Sequence, residues 1–420
     1  MICELDAIAP VHIGTGISYN RVEFVIKNDT LHRISMRKLI DRLSGREIDN
    51  LTSQLERGSF SIEGFLQRTD VEPGEVSIYS LECKMVPKEV REQIKTANKV
   101  YIPGSSVKGA IRGALLYWHL KTNDWMVPVC YLKEGEISGY TNINLLDLIR
   151  GSVQRFSDGK PVPIEPSFKE YREDVHKNRF GNRFVDMVFG MKPFGSKRGD
   201  IRPTFDAKYD LLKFLHISDF MPVDVWLSAV NLKTYSLKRE NLEAKRYSAT
   251  VEAVRGRFSG TISLSSQVYT ALENVDEYPL LRERMEILGL KDDFHDEEVL
   301  KHLKTVLRDY NSWCIEKEIE LVSSADNGNR FVEGLEELER LNRSDNLIRV
   351  GFGVGTMYQT LIKLIEEEDA ELAKNIVNKL KLGKFRRDLD RRTGTGLSPP
   401  YPKSIEFTDN DEPTGWLRWE

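Results

Sequence analysis

The sequence predicts an α+β fold with a mixed or antiparallel sheet, on three observations. Strand-like and helix-like segments alternate irregularly, unlike the regular βαβ succession of a doubly wound parallel sheet. Residues 122–210 are rich in Gly, Pro, Asn and charge, with few periodic segments, and read as a long insertion with exposed loops. The C-terminal part is dominated by helical spacing. A split βαβ, ferredoxin-like core carrying large insertions satisfies all three.

Residues 2–9 alternate in part, with Cys3, Leu5 and Ala7 set against Ile2, Glu4, Asp6 and Ile8, and form a first strand. Residues 22–27 form another. Ser35 is placed to cap a short helix through Leu43. Residues 75–83 read as a strand, and 100–102 as a short one that enters Pro103-Gly104 and a helix over about 106–120. Beyond the insertion, 214–220 and 223–235 read as adjacent strands broken at Met221-Pro222. Residues 250–264 read as a strand pair with Gly256 and Gly260 at bends. Helices cover 283–288, 297–322 and 331–341. A strand at 347–352 leads to a glycine-rich loop, and helices continue to about 380. The tail after Arg392 carries Pro399, Pro400, Pro402 and Pro413 and ends near Trp416-Leu417-Arg418-Trp419. The 420 residues correspond to two or three units at ~150 residues per domain. The expected division is 1–245, containing the insertion, and 246–420.

Forty per cent apolar residues suffice for a sizeable core, which excludes wholesale disorder. No stretch of ~18 uncharged apolar residues is present, so no membrane partner is expected. Cys3, Cys83, Cys130 and Cys314 are scattered, which suits a reducing cytoplasm rather than a disulfide framework or zinc site. The net charge is −4, yet the charge is segregated. Residues 95–121 hold five cations and no carboxylate; 177–202, 233–257 and 381–392 are also basic. Acid concentrates at 292–298, 316–320, 333–339 and 366–371. Such segregation gives a basic face on an acidic body, or simply solvated helix faces.

The most informative segment is 101–120. A short strand enters a Pro-Gly turn, and Ser105 and Ser106 open a helix whose free N–H groups suit an anion. At ~100° per residue, Ser105, Lys108, Arg112 and His119 share one stripe, with no neighbouring carboxylate in sequence. Gly109 and Gly113 point to something packed close to the helix backbone. Phosphate contact is the stronger reading; a capped amphipathic helix with a solvated basic face is the alternative.

Two further loops are glycine-rich. In the first, His12-Ile13-Gly14-Thr15-Gly16 follows the opening strand and reads as a backbone nest for RNA phosphate or as a tight strand connection. In the second, Gly351-Phe352-Gly353-Val354-Gly355 is followed by Thr356 where a dinucleotide fingerprint needs its third glycine, and it lacks a P-loop ending. No nicotinamide, ATP or other cofactor is therefore expected. Gripping an RNA backbone and close packing are equal readings of that loop. No nucleophile elbow or zinc-protease motif occurs, the seven histidines are dispersed, and neither a metal nor a catalytic residue is assigned. Phe180, Phe184, Phe189 and Phe194 interleave with cations that include Lys197 and Arg198, which suits stacking on single-stranded bases or a small core.

Residues 102–115, Ile-Pro-Gly-Ser-Ser-Val-Lys-Gly-Ala-Ile-Arg-Gly-Ala-Leu, resemble the signature of the repeat-associated mysterious proteins, the RAMP superfamily of CRISPR systems. The 12–16 and 351–355 motifs are similar to that family's N-terminal signature and its C-terminal glycine-rich loop, in family order. The length, the His-Ile-Gly-Thr-Gly form and the closing Gly415-Trp-Leu-Arg-Trp419 are most like the fifth-subunit family of the type III-A Csm effector complex. The resemblance implies an RRM-like (ferredoxin-like) core with insertions. It implies a CRISPR RNA-binding and assembly subunit that caps the guide 3′ end and supports its maturation in antiviral defence. Implied partners are CRISPR RNA, backbone and small subunits, target RNA and recruited host nucleases. Ser105, Ser106, Lys108 and Arg112 would then touch guide phosphates, with His12, Gly14, Thr15, Gly16, Gly351, Gly353 and Gly355 lining the same groove. Backbone members of the family place a catalytic Asp after the first strand. Residues 14–22 here contain no Asp or Glu, which removes the residue target cleavage would need. The rival reading is an endoribonuclease processing repeat RNA with His12 or His119 as general acid or base.

Overall fold

The computed structural model describes residues 1–57, 60–133, 136–147, 149–150, 182–191, 207–238, 240–246, 248–290, 295–380 and 401–420. The chain opens with β1 (Ile2–Val11) and β2 (Gly14–Asn20), followed by the hairpin β3 (Phe24–Lys27) and β4 (Thr30–Ile34). Asn28 and Asp29 turn that hairpin at positive φ, as a two-residue connection requires. Ser35 caps α1 (Met36–Ile40) by accepting from the Lys38 N–H. Three helices unread in the sequence follow: α2 (Gly45–Glu56), α3 (Ile62–Thr69) and α4 (Pro73–Val76). They close a small satellite core around Phe65, Leu39 and Val76. Next come β5 (Ser77–Glu82), β6 (Glu89–Gln93), the minimal hairpin β7 (Lys95–Thr96) and β8 (Lys99–Val100), and the long helix α5 (Gly104–Thr122).

The described parts of the 122–210 insertion are not a set of exposed loops. They include a hairpin of β9 (Met126–Lys133) and β10 (Glu136–Asn144), and the helix α6 (Asn182–Phe189). Trp125, Val127, Leu145, Met187, Val188 and Phe189 are buried in the main core. Arg284 anchors this packing from the core itself. It is 1 % exposed and donates to the carbonyls of Gly190 (3.2 Å), Pro128 (2.9 Å) and Met187 (2.8 Å). Lys197, Arg198 and Phe194 lie outside the described residues.

The central strands are β11 (Leu215–Ile217), β12 (Met221–Lys238), β13 (Asn241–Ala244) and β14 (Ala249–Leu264). Two expectations need correction here. The two adjacent strands are present as β11 and β12, but the break between them lies at 218–220, so β12 begins at Met221 and shifts register between Pro222 and Asp224. β14 is one continuous strand, not a pair. Its Gly256 sits at φ +103°, where a Cβ would lie 2.2 Å from the Asp224 carbonyl, and Gly260 lies under the Phe220 ring. Both glycines serve close approach, not a bend.

The remaining helices are α7 (Gln267–Glu273), α8 (Leu281–Met285), α9 (Asp296–Ser323) and α10 (Asn329–Ser344). After β15 (Asn346–Arg349) come α11 (Gly355–Gln359), α12 (Ile362–Glu368) and α13 (Ala370–Leu380). The proline-bearing tail holds two strands that periodicity did not reveal, β16 (Ser404–Thr408) and β17 (Trp416–Trp419).

Thirteen described strands form one mixed, mainly antiparallel sheet, in the order β15-β17-β1-β14-β12-β5-β4-β3 along its main path. β1 lies between β17 and β14, so the two ends of the chain pair side by side, Leu5 opposite Trp419 and Phe258. Strands from both sides of residue 245 therefore share one sheet. Cys3, Leu5 and Ala7 face the main core, where α5 contributes Val107, Ile111, Ala114 and Leu115, and α9 contributes Leu303, Val306 and Leu307. The α+β expectation holds. Arg284→Met should lower stability by about 2–3 kcal/mol, because it leaves the buried Gly190 and Met187 carbonyls and the part-buried Pro128 carbonyl short of a donor. Thermal unfolding measures this, and faster proteolysis around 182–191 should accompany it.

Candidate nucleic-acid interface

The structure brings together the three glycine-bearing motifs that lie far apart in sequence. The backbone N–H of Phe352 donates to the His12 carbonyl at 2.7 Å. Gly351 sits at φ +87°, and a Cβ on it would lie 2.4 Å from that same carbonyl. Only glycine lets the two loops touch here. The Gly415 N–H donates to the Pro10 carbonyl (2.9 Å), and its own carbonyl accepts from Val350 (2.8 Å), which locks the same junction from the C-terminal strand. Across a groove of about 500 Å³, the Gly351 loop faces α5 through Ser106, Arg112 and Gly113. A Cβ on Gly113 would meet the Tyr358 carbonyl at 3.4 Å, so α5 and α11 pass close together there.

α5 begins at Gly104, two residues before the expected start, with Pro103 at its N-cap. Its first N–H is already taken: Gly104 donates to the Asp219 carboxylate at 2.9 Å. The sequence-read anion site is therefore partly filled by a carboxylate of the chain itself. Ser105 is exposed, and Ser106 and Lys108 are half-buried. Burial pulls the Lys108 ammonium below its usual pKa; Arg112 adds to this and Asp210 opposes it. Lys108 has no ion-pair partner among the described residues.

The unneutralised basic stripe needs correction at two residues. Arg112 pairs with Asp210 at 2.6 Å and lies 4.5 Å over the Phe189 ring, a contact made across 98 positions of sequence. His119 is 7 % exposed and belongs to the core side of α5.

His12 is also buried, at 4 % exposure. Its Nδ1 donates to the Glu252 carbonyl at 2.7 Å, which makes it a structural clamp. Burial pulls its pKa down, against the Glu252 carbonyl and carboxylate. Gly14, Thr15 and Gly16 are exposed on β2, so the loop readings divide: His12 holds the junction, while 14–16 present backbone to solvent.

Glu252 organises this side, and sequence reading missed it. Its side chain has no exposure, and it accepts from Tyr19 (2.8 Å), Tyr79 (2.8 Å), the Gln93 N–H (2.9 Å) and Lys95. The available signal was a lone carboxylate inside the apolar run 251–254. Sequence reading also missed Arg91, whose guanidinium lies 5.0 Å over the partly exposed Phe352 ring. Behind the loop, Arg349 donates to Glu318 at 2.5 Å, fully buried, between the rings of Tyr358 and Trp416. Burial lifts the Glu318 carboxyl, against the pull of Arg349. Among the described residues, no cluster of His, Cys, Asp or Glu could hold a metal ion, and no helix is long and apolar enough to cross a membrane.

A mixed sheet whose signature helix meets a glycine-rich loop across one groove defines a known class. The chain belongs to the RAMP superfamily, whose profile matches residues 4–411. It is 22% identical over 443 residues to a Methanocaldococcus jannaschii protein described as CRISPR system Cms protein Csm5, covering 99% of this chain and 87% of that one. It resembles a chain of a cryo-EM Csm–crRNA–target RNA ternary complex of a type III-A CRISPR-Cas system, with TM-score 0.68, 22% identity and full coverage of both chains. It also resembles the crystal structure of T. onnurineus Csm5, with TM-score 0.58, 19% identity and 99% coverage of each. At these identities the structural likenesses establish a shared fold.

Two outcomes follow from this geometry. Gly351→Ala forces a side chain onto the His12 carbonyl at positive φ and should cost about 1–3 kcal/mol, read as a lower melting temperature. Burial and the nearby Arg284 charge push the His119 pKa down to about 4. The unfolded imidazole binds its proton near pH 6.5, so this group removes up to ~3 kcal/mol of stability as pH falls from 6.5 toward 4. His119→Leu should flatten the pH dependence of unfolding in that window.

Proposed function

We propose that this chain is a non-catalytic CRISPR RNA-binding and assembly subunit of a type III-A Csm effector complex. In this reading it caps the guide 3′ end and supports guide maturation in antiviral defence. The observation that carries the proposal is the groove between α5 and the Gly351 loop. Arg112, paired with Asp210, the Ser106 hydroxyl and the Gly351 backbone line it, and the half-buried Lys108 stands on the same helix, one turn from Arg112. That set suits a phosphate backbone and reads no sequence. The similarity to a chain of a Csm–crRNA–target RNA complex supports the same assignment. Guide RNA, target RNA, and the backbone and small Csm subunits are the proposed partners, with host nucleases recruited for maturation.

The endoribonuclease reading needs a histidine able to exchange protons with bound RNA. His12 and His119 are both buried, and their imidazole pKa values are pulled down. Neither side chain presents a ring nitrogen to the groove, which favours the binding reading.

Lys108→Ala with Arg112→Ala should weaken guide binding and reduce the salt slope, log Kd against log salt, by about 1.4, or ~0.7 for each lost phosphate contact. An unchanged slope and affinity would place the guide elsewhere. Because Arg112 also contacts Asp210 and Phe189, thermal unfolding of the double variant is measured alongside.

A further inference from the structure

A second cavity, about 690 Å³, lies against the same glycine-rich loop, between it, α9 and the segment 401–406. Its volume falls in the ~300–1,000 Å³ range of small-molecule sites. Its chemistry differs from that of the groove. Glu318, Glu320 and Glu406 line it. Its two lysines are already committed, Lys317 to Glu320 (2.6 Å) and Lys363 to Glu366 (3.3 Å). A phosphate entering here would meet carboxylates without an available cation. A neutral heterocycle carrying N–H donors would meet acceptors.

Glu406 is the best-placed acceptor. Its Oε1 accepts from the Thr234 hydroxyl at 3.1 Å, and its Oε2 makes no hydrogen bond among the described residues. Oε2 stands 2.6 Å from where a Cβ on Gly353 would be, so the glycine, at φ +90°, creates the space the carboxylate occupies. Deeper in the lining, Glu318 Oε2 is buried without a partner. Phe352 also lines the cavity and is 38 % exposed, which leaves ring surface open at the loop tip.

We infer that this cavity takes one unstacked guanine base of bound RNA, with Phe352 as the stacking platform and Glu406 as the reader of its Watson–Crick edge. Guanine alone presents two adjacent donors on that edge, N1–H and the N2 amino group, matching the two oxygens of a carboxylate. Adenine and cytosine each set a ring acceptor beside their amino group, facing the carboxylate. Uracil offers one N–H between two carbonyls. The inference rests on the RNA-binding reading and adds to it a base preference that phosphate contacts do not supply.

The test titrates the intact chain with labelled 12-nucleotide RNAs: all-uridine, uridine with interspersed guanosines, and the same RNA with inosine replacing guanosine. Inosine keeps N1–H and loses the N2 amino group. The guanosine RNA should bind about tenfold or more tightly than the uridine RNA, and inosine should lose most of that gain. Glu406→Gln should abolish the guanosine preference while keeping uridine affinity, and Phe352→Ala should weaken all three. Equal binding of the three RNAs by the unaltered chain overturns the base pocket, and so does a Glu406→Gln loss that is the same for all. Failure to bind any of them overturns the RNA-binding reading itself. The inosine comparison uses only the unaltered chain, so it stands whether or not either variant folds.

Discussion

A carboxylate withdrawn wholly from water must be surrounded by donors, and Glu252 therefore dictates where several distant segments lie. It sits on β14, the strand that also pairs with β1, β12, β6 and β11. Its donors come from β2, β5, β6 and β7, so the first hundred residues are drawn onto the central strand by one side chain. Losing a partner would strand a buried charge, at a cost of about 3–5 kcal/mol. The same residue's carbonyl takes the His12 ring, and the His12 carbonyl takes the Phe352 N–H. The position of the glycine-rich loop, and of the groove it forms with α5, follows from that chain of contacts.

The electrostatics of the groove are less one-sided than a charge count along α5 implies. Asp219 occupies the helix start and Asp210 holds Arg112, and both come from the segment that returns from the insertion. The free chain thus pairs Arg112 and the first N–H of α5 with its own carboxylates. On the other side of the loop the lining turns carboxylate-rich, with Glu318, Glu320 and Glu406 beside the paired Lys317 and Lys363.

Legibility followed the range of the interactions. The motif helix, the capped α1, the long α9 and α10 and the strand β1 were readable because each carries its own period or cap. The helices α2 to α4 were missed, although Ser44 and Glu47 form a capping box at the start of α2. β16 and β17 were missed because their strands are short and lie in a proline-bearing tail. The break expected at Met221-Pro222 falls just before it, at 218–220, and β14 is continuous because pairing on both sides carries it across Gly256. Of the candidate site, the residues were legible and their states were not. His12, His119 and Arg112 look alike as polar residues in a motif, and only contacts across 98 to 240 positions separate clamp, core and paired cation.

By itself the sequence determined the fold class, the family resemblance and the three motifs, because glycine placement, helical period and turn chemistry are local. The tertiary structure alone decided that the motifs meet, that the chain's two ends pair around β1, and that Glu318, Glu320 and Glu406 gather on one side of the glycine-rich loop. Those outcomes depend on burial, and burial is set by which distant segments exclude water together.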